Sequence, residues 1–421
     1  MSSGTKFTEL NNLVKTNSGV FDSGLSKIFN YTDGAEIEQK LNSILSTVKD
    51  LSSNSAELEK NISDWPTEYH LSSTRANLLR GLDLSRITRV LELGCGCGSI
   101  SRYIGEQEGI QLDAIEGSAI RASLAAKRCQ DLPNVTISTG NFNQFEFPEN
   151  YYDLVLYVGV TEYAGRFSER ETDQEALQDL LALAKRSSKG DGVVLVAIEN
   201  RTGLKYMMGA SEDHYGIPYI GIDGYQNSTG IRTYTKEEWL AEISKAGYKF
   251  NRFVYPFPDY KVPTLMLHES CIANPVKVKQ ALNKIKSRDY CVDFDLGDSE
   301  KWLWNTIIEV EAIDKFSNSF MLLLSNDESK LIEIADFEVI EYQQILHNYR
   351  KKNPSFLTEN DMQRQKFIEA RQRLEKRVSS LKKDLLAMQN HADNLQNKID
   401  LMTESRGWTA LNRLRSLFGK N

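Results

Sequence analysis

Histidine is scarce in this 421-residue chain: there are five, at positions 70, 214, 268, 347 and 391. Proton transfer through an imidazole therefore has few candidates. Cysteine is equally rare. Cys95, Cys97, Cys129, Cys271 and Cys291 are odd in number and scattered, which argues against a disulfide framework and for a reducing compartment. Cys95 and Cys97 have no second Cys/His pair at zinc-like spacing, and no run of carboxylates demands a metal, so no metal is expected. No segment approaches the roughly 20 apolar residues that span a bilayer, and the polar first six residues contain no apolar signal core. These absences point to the cytoplasm. The net charge of −7 is unevenly spread: 13 basic against 7 acidic residues from Asp361 onward put +6 on the tail and −13 on the remainder. An acidic body argues against nucleic acid as a partner.

What is present is a regular alternation. An apolar run rises from Ile87, carries a carboxylate at Glu92, and breaks into glycines at 94, 96 and 98. This reads as a buried parallel strand entering a glycine-rich turn, with a helix over 99–108. Further strands are expected at 111–116, 135–139, 152–158 and 193–198, with helices over 118–130 and 173–187. Strands alternating with helices at this spacing predict an α/β fold with a parallel sheet covered on both faces. Upstream, residues 1–34 are rich in Ser, Asn and Gly, and 35–62 has helical apolar spacing. Trp65-Pro66 reads as a break, because a residue before proline avoids the helical basin. Ser72 or Ser73 then caps a helix over 74–82. Downstream, 201–231 has no clear period, and a loop of that length inside a compact domain is usually functional or disordered. Thr235 and Glu238 form a capping box for a helix ended by Gly247. A strand over 250–255, a proline-rich loop over 256–263, an inserted helical piece over 275–313 and a completing strand over 320–325 follow.

The tail is different in kind. Leu374, Val378, Leu381, Leu385, Met388, Ala392, Leu395, Ile399 and Met402 recur at 4-3-4-3 spacing with polar residues between them. This predicts a coiled coil over 358–403 and a homo-oligomer, dimer or trimer. Residues 404–421 place Trp408, Leu411, Leu414, Leu417 and Phe418 beside four basic residues, Arg406, Arg413, Arg415 and Lys420, a pattern suited to an anionic membrane surface or a partner protein.

Four strand ends converge on one sheet edge, where ligands of open α/β sheets bind. They supply Glu92, Gly94, Cys95, Gly96 and Gly98; Glu116, Gly117 and Ser118; Asn141 and Phe142; and Val158, Gly159 and Tyr163. The glycines allow close backbone approach. Glu116 can accept hydrogen bonds from a ribose, Asn141 can pair with an adenine edge, and Phe142 can pack beside the ring. A dinucleotide site uses G-x-G-x-x-G, whereas here a carboxylate precedes glycines at alternate positions. That carboxylate would repel a pyrophosphate but suits the cationic amino-acid end of S-adenosyl-L-methionine. Over roughly 85–270 the chain resembles the class I S-adenosylmethionine-dependent methyltransferases, through Glu92 to Gly98, Glu116 and the strand Tyr152-Asp153-Leu154-Val155. The resemblance implies a Rossmann-like sheet and that cofactor; Asn141 departs from the family's more usual Asp.

A narrower resemblance lies in Trp65-Pro66-x-x-Tyr69-His70-Leu71-Ser72-x-x-Arg75-Ala76-Asn77-Leu78-Leu79, Ile198-Glu199-Asn200-Arg201-x-Gly203-Leu204-Lys205-Tyr206, Glu212-Asp213-His214 and Tyr255-Pro256-x-Pro258-Asp259-Tyr260-Lys261. These look like methyltransferase modules of bacterial O-antigen and capsular polysaccharide loci. The tail segment 405–415 is similar to a Trp/Arg/Leu-rich segment common in proteins of those loci. This resemblance implies O-methylation of a sugar on a glycan or lipid-linked glycan, a glycosyltransferase partner, and peripheral contact with the inner face of the cytoplasmic membrane. The acceptor's proton must be removed. His214, in the aperiodic segment and oriented by Asp213 or Glu212, is the expected base, with His70 second. Glu162 and Tyr163 are expected contacts, and the other histidines structural. The organisation expected is a helical extension (1–64), a methyltransferase domain (65–350), the coiled coil and the basic tail. Rivals are a non-catalytic scaffold that recruits polysaccharide enzymes and a small-molecule or lipid methyltransferase. Truncation after Asn353 is expected to yield a monomer that still binds cofactor, measured by light scattering and calorimetry.

Overall fold

The computed structural model describes residues 8–9, 13–16, 18–22, 34–226, 230–292 and 297–342, with isolated positions beyond 406. The chain divides into two units, Met1–Asn348 and Tyr349–Asn421. The coiled coil expected at 358–403 and nearly all of the 404–421 tail lie outside the described residues.

The first unit is built on five parallel strands: β1 (Arg89–Leu93), β2 (Gln111–Glu116), β3 (Val135–Thr139), β4 (Tyr152–Val158) and β5 (Ser188–Glu199). They lie in the order 3-2-1-4-5. Four more strands, β6 (Phe250–Phe257), β7 (Leu265–His268), β8 (Ser319–Ser325) and β9 (Val339–Glu341), extend the sheet beyond β5. β8 runs antiparallel between β5 and β6, so the strand expected at 320–325 does complete the main sheet. At the other edge the Ser/Asn/Gly-rich start contributes two short strands, Phe21–Asp22 parallel to β3 and Val14–Lys15 beyond it. The result is an eleven-stranded, Rossmann-like mixed sheet.

The apolar runs explain the layering. Side chains alternate across a strand, so Leu91, Val155, Tyr157, Val194 and Val196 enter one core while Val90, Leu154, Leu156, Val193 and Leu195 enter the other. Helices α1 (Ala35–Thr47), α2 (Trp65–Leu71), α3 (Ser99–Gly105), α4 (Ala119–Arg128), α5 (Asp173–Ser187) and α6 (Lys236–Lys245) surround the sheet. The capping box of α6 forms as expected: Glu238 N–H donates to Thr235 Oγ1 and Thr235 N–H to Glu238 Oε2. The inserted piece contains α7 (Pro275–Leu282) and α8 (Asp298–Glu309).

Two local expectations are corrected. Trp65-Pro66 does not end a helix but begins one: Asp64 caps α2 and Pro66 sits in its first turn, where no intrahelical N–H is lost. The helical spacing of 35–62 is split after Thr47, where Val48 turns extended, and resumes only for Ala56–Glu59. Leu41, Ile44, Leu45, Leu51, Leu58 and Leu71 nevertheless share one small core.

Asn318, just before β8, ties three segments to the β5 end. Its amide donates to the Pro258 carbonyl (3.0 Å) and Ser287 Oγ (2.8 Å), and its oxygen accepts from Lys205 N–H (3.0 Å). Asn318→Ala strands these buried partners and is expected to destabilise the protein by about 2–4 kcal/mol, read from guanidinium unfolding midpoints.

Candidate active site

The glycine turn follows β1 and leads into α3. Gly94 and Cys95 N–H groups both donate to the Ile115 carbonyl on β2 (2.8 and 3.1 Å), which pins the turn beside the neighbouring strand end. Gly94 has φ +84°, and a Cβ there would stand 2.4 Å from Val160 Cγ2, so only glycine fits. Gly98 answers to packing instead: it lines no part of the cavity, and a Cβ would lie 2.9 Å from Ala125 Cα on α4. Glu116, at the end of β2, is clamped by Gly96 N–H on Oε2 (2.7 Å) and Ser118 N–H on Oε1 (2.9 Å). Each oxygen keeps a lone pair for a further donor. Ser118 thus sits behind the wall, holding Glu116 rather than lining the cavity.

The cavity, about 250 Å³, is lined by Glu92, Gly94, Cys95, Gly96, Glu116, Gly117, Asn141, Phe142, Val158, Gly159 and Tyr163, and also by His70 and His214. Asn141 does not leave its whole amide free. Its Oδ1 accepts from Asn143 N–H (3.0 Å) and caps the turn Phe142–Gln144, so part of the expected acceptor capacity is spent locally. Glu92 is fully buried and accepts from the Ser101 hydroxyl (2.6 Å). Burial pushes its carboxyl up to about 7, with Ser101 and Arg75 pulling the other way. Arg75, one of the residues of the narrower resemblance but given no role there, lines the same cavity with a buried Nε that has no hydrogen-bond partner. Glycine turn, clamped Glu116, near-neutral Glu92 and an orphaned Arg75 nitrogen fit the ribose and the zwitterionic amino-acid end of S-adenosylmethionine.

At the other end of the cavity stands His214. Its Nδ1 lies 2.7 Å from Glu212 Oε1, and Glu212 Oε2 accepts from the backbone N–H groups of His214 and Tyr215. Glu212, not Asp213, therefore orients the ring. His214 Nε2 lies 3.6 Å from Glu162 Oε1 and 3.9 Å from Glu199 Oε2. Burial disfavours an imidazolium, but Glu199, Glu162 and Glu212 outweigh it and hold the His214 pKa well above the usual range. This direction favours the protonated ring and weighs against His214 as the expected base. Glu162 has the complementary character: burial pushes its carboxyl up, and its Oε2 has no hydrogen-bond partner. The donor atoms of Glu162, Glu199 and His214 lie within 4.8 Å of one another, a grouping the sequence reading did not anticipate. His70 lies elsewhere, on α2 beneath the glycine turn, with Nε2 4.0 Å from Cys97 Sγ.

Behind His214 lies a buried ion network. Lys205, with no exposed surface, donates to both oxygens of Asp213 (3.0 and 3.1 Å) and lies 3.8 Å from Asp259 Oδ2. Lys261 bridges Glu199 and Asp213. Burial alone would raise the Asp213 pKa, but the two lysines hold it far below the usual carboxylate range. Tyr290 donates to Asp259 Oδ2 (2.6 Å) and stacks on Trp65, and Arg288 grips both oxygens of Glu68, so the inserted piece is fastened over α2.

Comparison with known proteins supports the class this site defines. Residues 90–187 match the family model described as a methyltransferase domain. The chain is 25% identical over 115 residues to cyclopropane-fatty-acyl-phospholipid synthase of Escherichia coli K12, a match that spans 27% of each protein, about a quarter of that relative's length. Among solved structures, an S-adenosylmethionine-dependent methyltransferase from Archaeoglobus fulgidus aligns over 61% of this chain and 96% of its own at 17% identity and TM-score 0.36. A phosphoethanolamine N-methyltransferase from Haemonchus contortus aligns over 57% and 49% at 16% identity and TM-score 0.33. Structural likeness this distant carries no statement about substrate. The chain contains a methyltransferase domain, and S-adenosylmethionine is its cofactor.

A cation bound beside Glu92 favours the ionised carboxylate. Because the free site holds that proton up to about pH 7, binding the methyl donor below that pH should release a proton, and affinity should rise with pH up to about 7 and then level. Calorimetry in two buffers of different ionisation enthalpy checks this; Glu92→Gln should bind without proton release.

Proposed function

We propose that the protein transfers a methyl group from S-adenosylmethionine to a hydroxyl of a sugar in a bacterial surface glycan, with Glu162 as the proton acceptor. The observation that carries the reading is that one cavity joins the glycine turn and Glu116 to His214 and to Glu162, whose Oε2 has no hydrogen-bond partner. The bound cofactor supplies a methyl group already activated on a sulfonium. The protein's own residues then have two tasks: to hold the acceptor oxygen in line and to take its proton. Glu162 takes the proton as the oxygen–carbon bond forms. His214, protonated and fixed by Glu212, keeps the Glu162 carboxylate turned to the cavity. Trp65, Tyr69 and Tyr260 line the same space and suit the C–H faces of a sugar ring, while Asp213, Glu162 and Lys261 suit its hydroxyls.

The polysaccharide setting rests on the sequence resemblances at 65–79, 198–206, 212–214 and 255–261. The heptads of 358–403 support an oligomer, and the basic apolar tail supports contact with an anionic surface, where two or three linked copies gain avidity. A glycosyltransferase that builds the same glycan is the partner this arrangement fits. A lipid acceptor is the second reading, favoured by the match to a phospholipid-modifying enzyme.

Labelled methyl donor, offered with lipid-linked glycans, free glycans or phospholipid vesicles, tests these readings. Label should enter the glycan, and Glu162→Gln should lower kcat by about 10²–10⁴-fold while cofactor affinity holds. Label in the phospholipid would establish the second reading. Tight cofactor binding with no turnover on any acceptor would make the protein a scaffold.

A further inference from the structure

We infer that Glu162, Glu199 and His214 form a binding site for one divalent cation of the manganese or zinc type, on the acceptor side of the cavity. Three independent features of the geometry point there. Glu162 and Glu199 are 2% and 1% exposed, and each has an Oε2 with no hydrogen-bond partner. Buried polar atoms are as a rule hydrogen-bonded. The separations from His214 Nε2, 3.6 Å to Glu162 and 3.9 Å to Glu199, exceed hydrogen-bond reach. They are close to the edges of a coordination polyhedron: with metal–ligand bonds of about 2.1 Å, neighbouring donors stand roughly 3–3.5 Å apart, so a small contraction would seat the ion.

The third feature is the support around these donors. Metal-binding histidines typically give their other ring nitrogen to a carboxylate, which fixes the tautomer. Glu212 does this at Nδ1, 2.7 Å away, and is itself held by the Tyr225 hydroxyl (3.1 Å). Lys261 occupies Glu199 Oε1 and leaves Oε2 turned to the cluster. Charge argues the same way. Glu162, Glu199, Glu212, Asp213 and Asp259 face Lys205, Lys261, the Arg288 guanidinium and the protonated His214, so a divalent ion that takes the place of the Nε2 proton restores the positive charge the carboxylates call for. Two carboxylates and one imidazole suit manganese, iron or zinc better than calcium. Three protein ligands leave coordination positions open, and Glu162 and His214 border the cavity, so an acceptor oxygen can enter the ion's coordination. The inference does not require the acceptor to be a glycan.

Full-length protein stripped with EDTA, then titrated with manganese or zinc, gives the test. About one equivalent should bind per chain by mass spectrometry of the metal and by manganese resonance, with a rise in Tm that EDTA reverses. Glu162→Gln and Glu199→Gln should each abolish stoichiometric binding, while Glu212→Gln should weaken it about 10–100-fold. Circular dichroism in EDTA verifies that each variant is folded; Glu212→Gln serves if a ligand variant is not. Absence of binding to the wild type, or binding that all three substitutions leave unchanged, overturns the site. Metal content is read without turnover, so this result and that of the methyl-transfer assay are independent.

Discussion

The pairing of Lys205 with Asp213 and Asp259 holds together the half of the molecule that the Rossmann-like core does not provide. A lysine with no exposed surface is costly to bury unless its charge is fully met. Here it is met by carboxylates from two different loops, one following β5 and one following β6. Lys261 repeats the arrangement between Glu199 and Asp213. Removing either lysine leaves Asp213 with a single counter-charge and Asp259 or Glu199 without its lysine, so the network is rigid for the same reason that it is expensive. Asp213 is adjacent in sequence to His214, and Glu199 is both a partner of Lys261 and a neighbour of the imidazole. The ring that Glu212 orients is therefore also tied to ion pairs whose members, Asp213 and Lys261, line the cavity beside it.

This divides the site into two halves of different character. The cofactor half is made of backbone: glycine N–H groups, the Ile115 carbonyl and one carboxylate clamped by two amides. Such contacts are fixed by the sheet itself and depend little on side-chain identity. The acceptor half is made of side chains carried by aperiodic segments, and its geometry depends on charge balance. A fold can keep the first half and vary the second, which is how one sheet serves many acceptors.

The same division decides what was legible in the sequence. The five parallel strands and the glycine turn could be read because their signals are local: apolar runs, breaks at glycine, and carboxylates at or beside the ends of β1, β2 and β5. Trp65-Pro66 was misread because proline has two meanings in a helix, a stop in the interior and an ordinary tenant of the first turn. His214 was identified, but its protonation was not, because Glu162 and Glu199 are 52 and 15 residues away and only the alignment of β4 beside β5 brings them to it. Lys205, Lys261 and Arg75 fall within the motifs of the narrower resemblance, but nothing in the sequence marks that they and their partners are buried. The role of Glu212 rather than Asp213 turned on which of two adjacent carboxylates faces the ring, a matter of loop conformation with no periodic signature.

The placement of β8 has a consequence for how the chain is made. It occupies the middle of the sheet, between β5 and β6, yet it is encoded after the inserted helices. A chain leaving the ribosome from its N-terminus can assemble the five parallel strands early, but β5 keeps an open edge until residue 325 has emerged. During that interval the unpaired edge is exposed to other strands. The contacts that close it are of long sequence separation and so form slowly. Asn200, Lys205 and Asn318 meet only at that closure, so the cofactor half can exist on a nascent chain before the acceptor half has any shape at all.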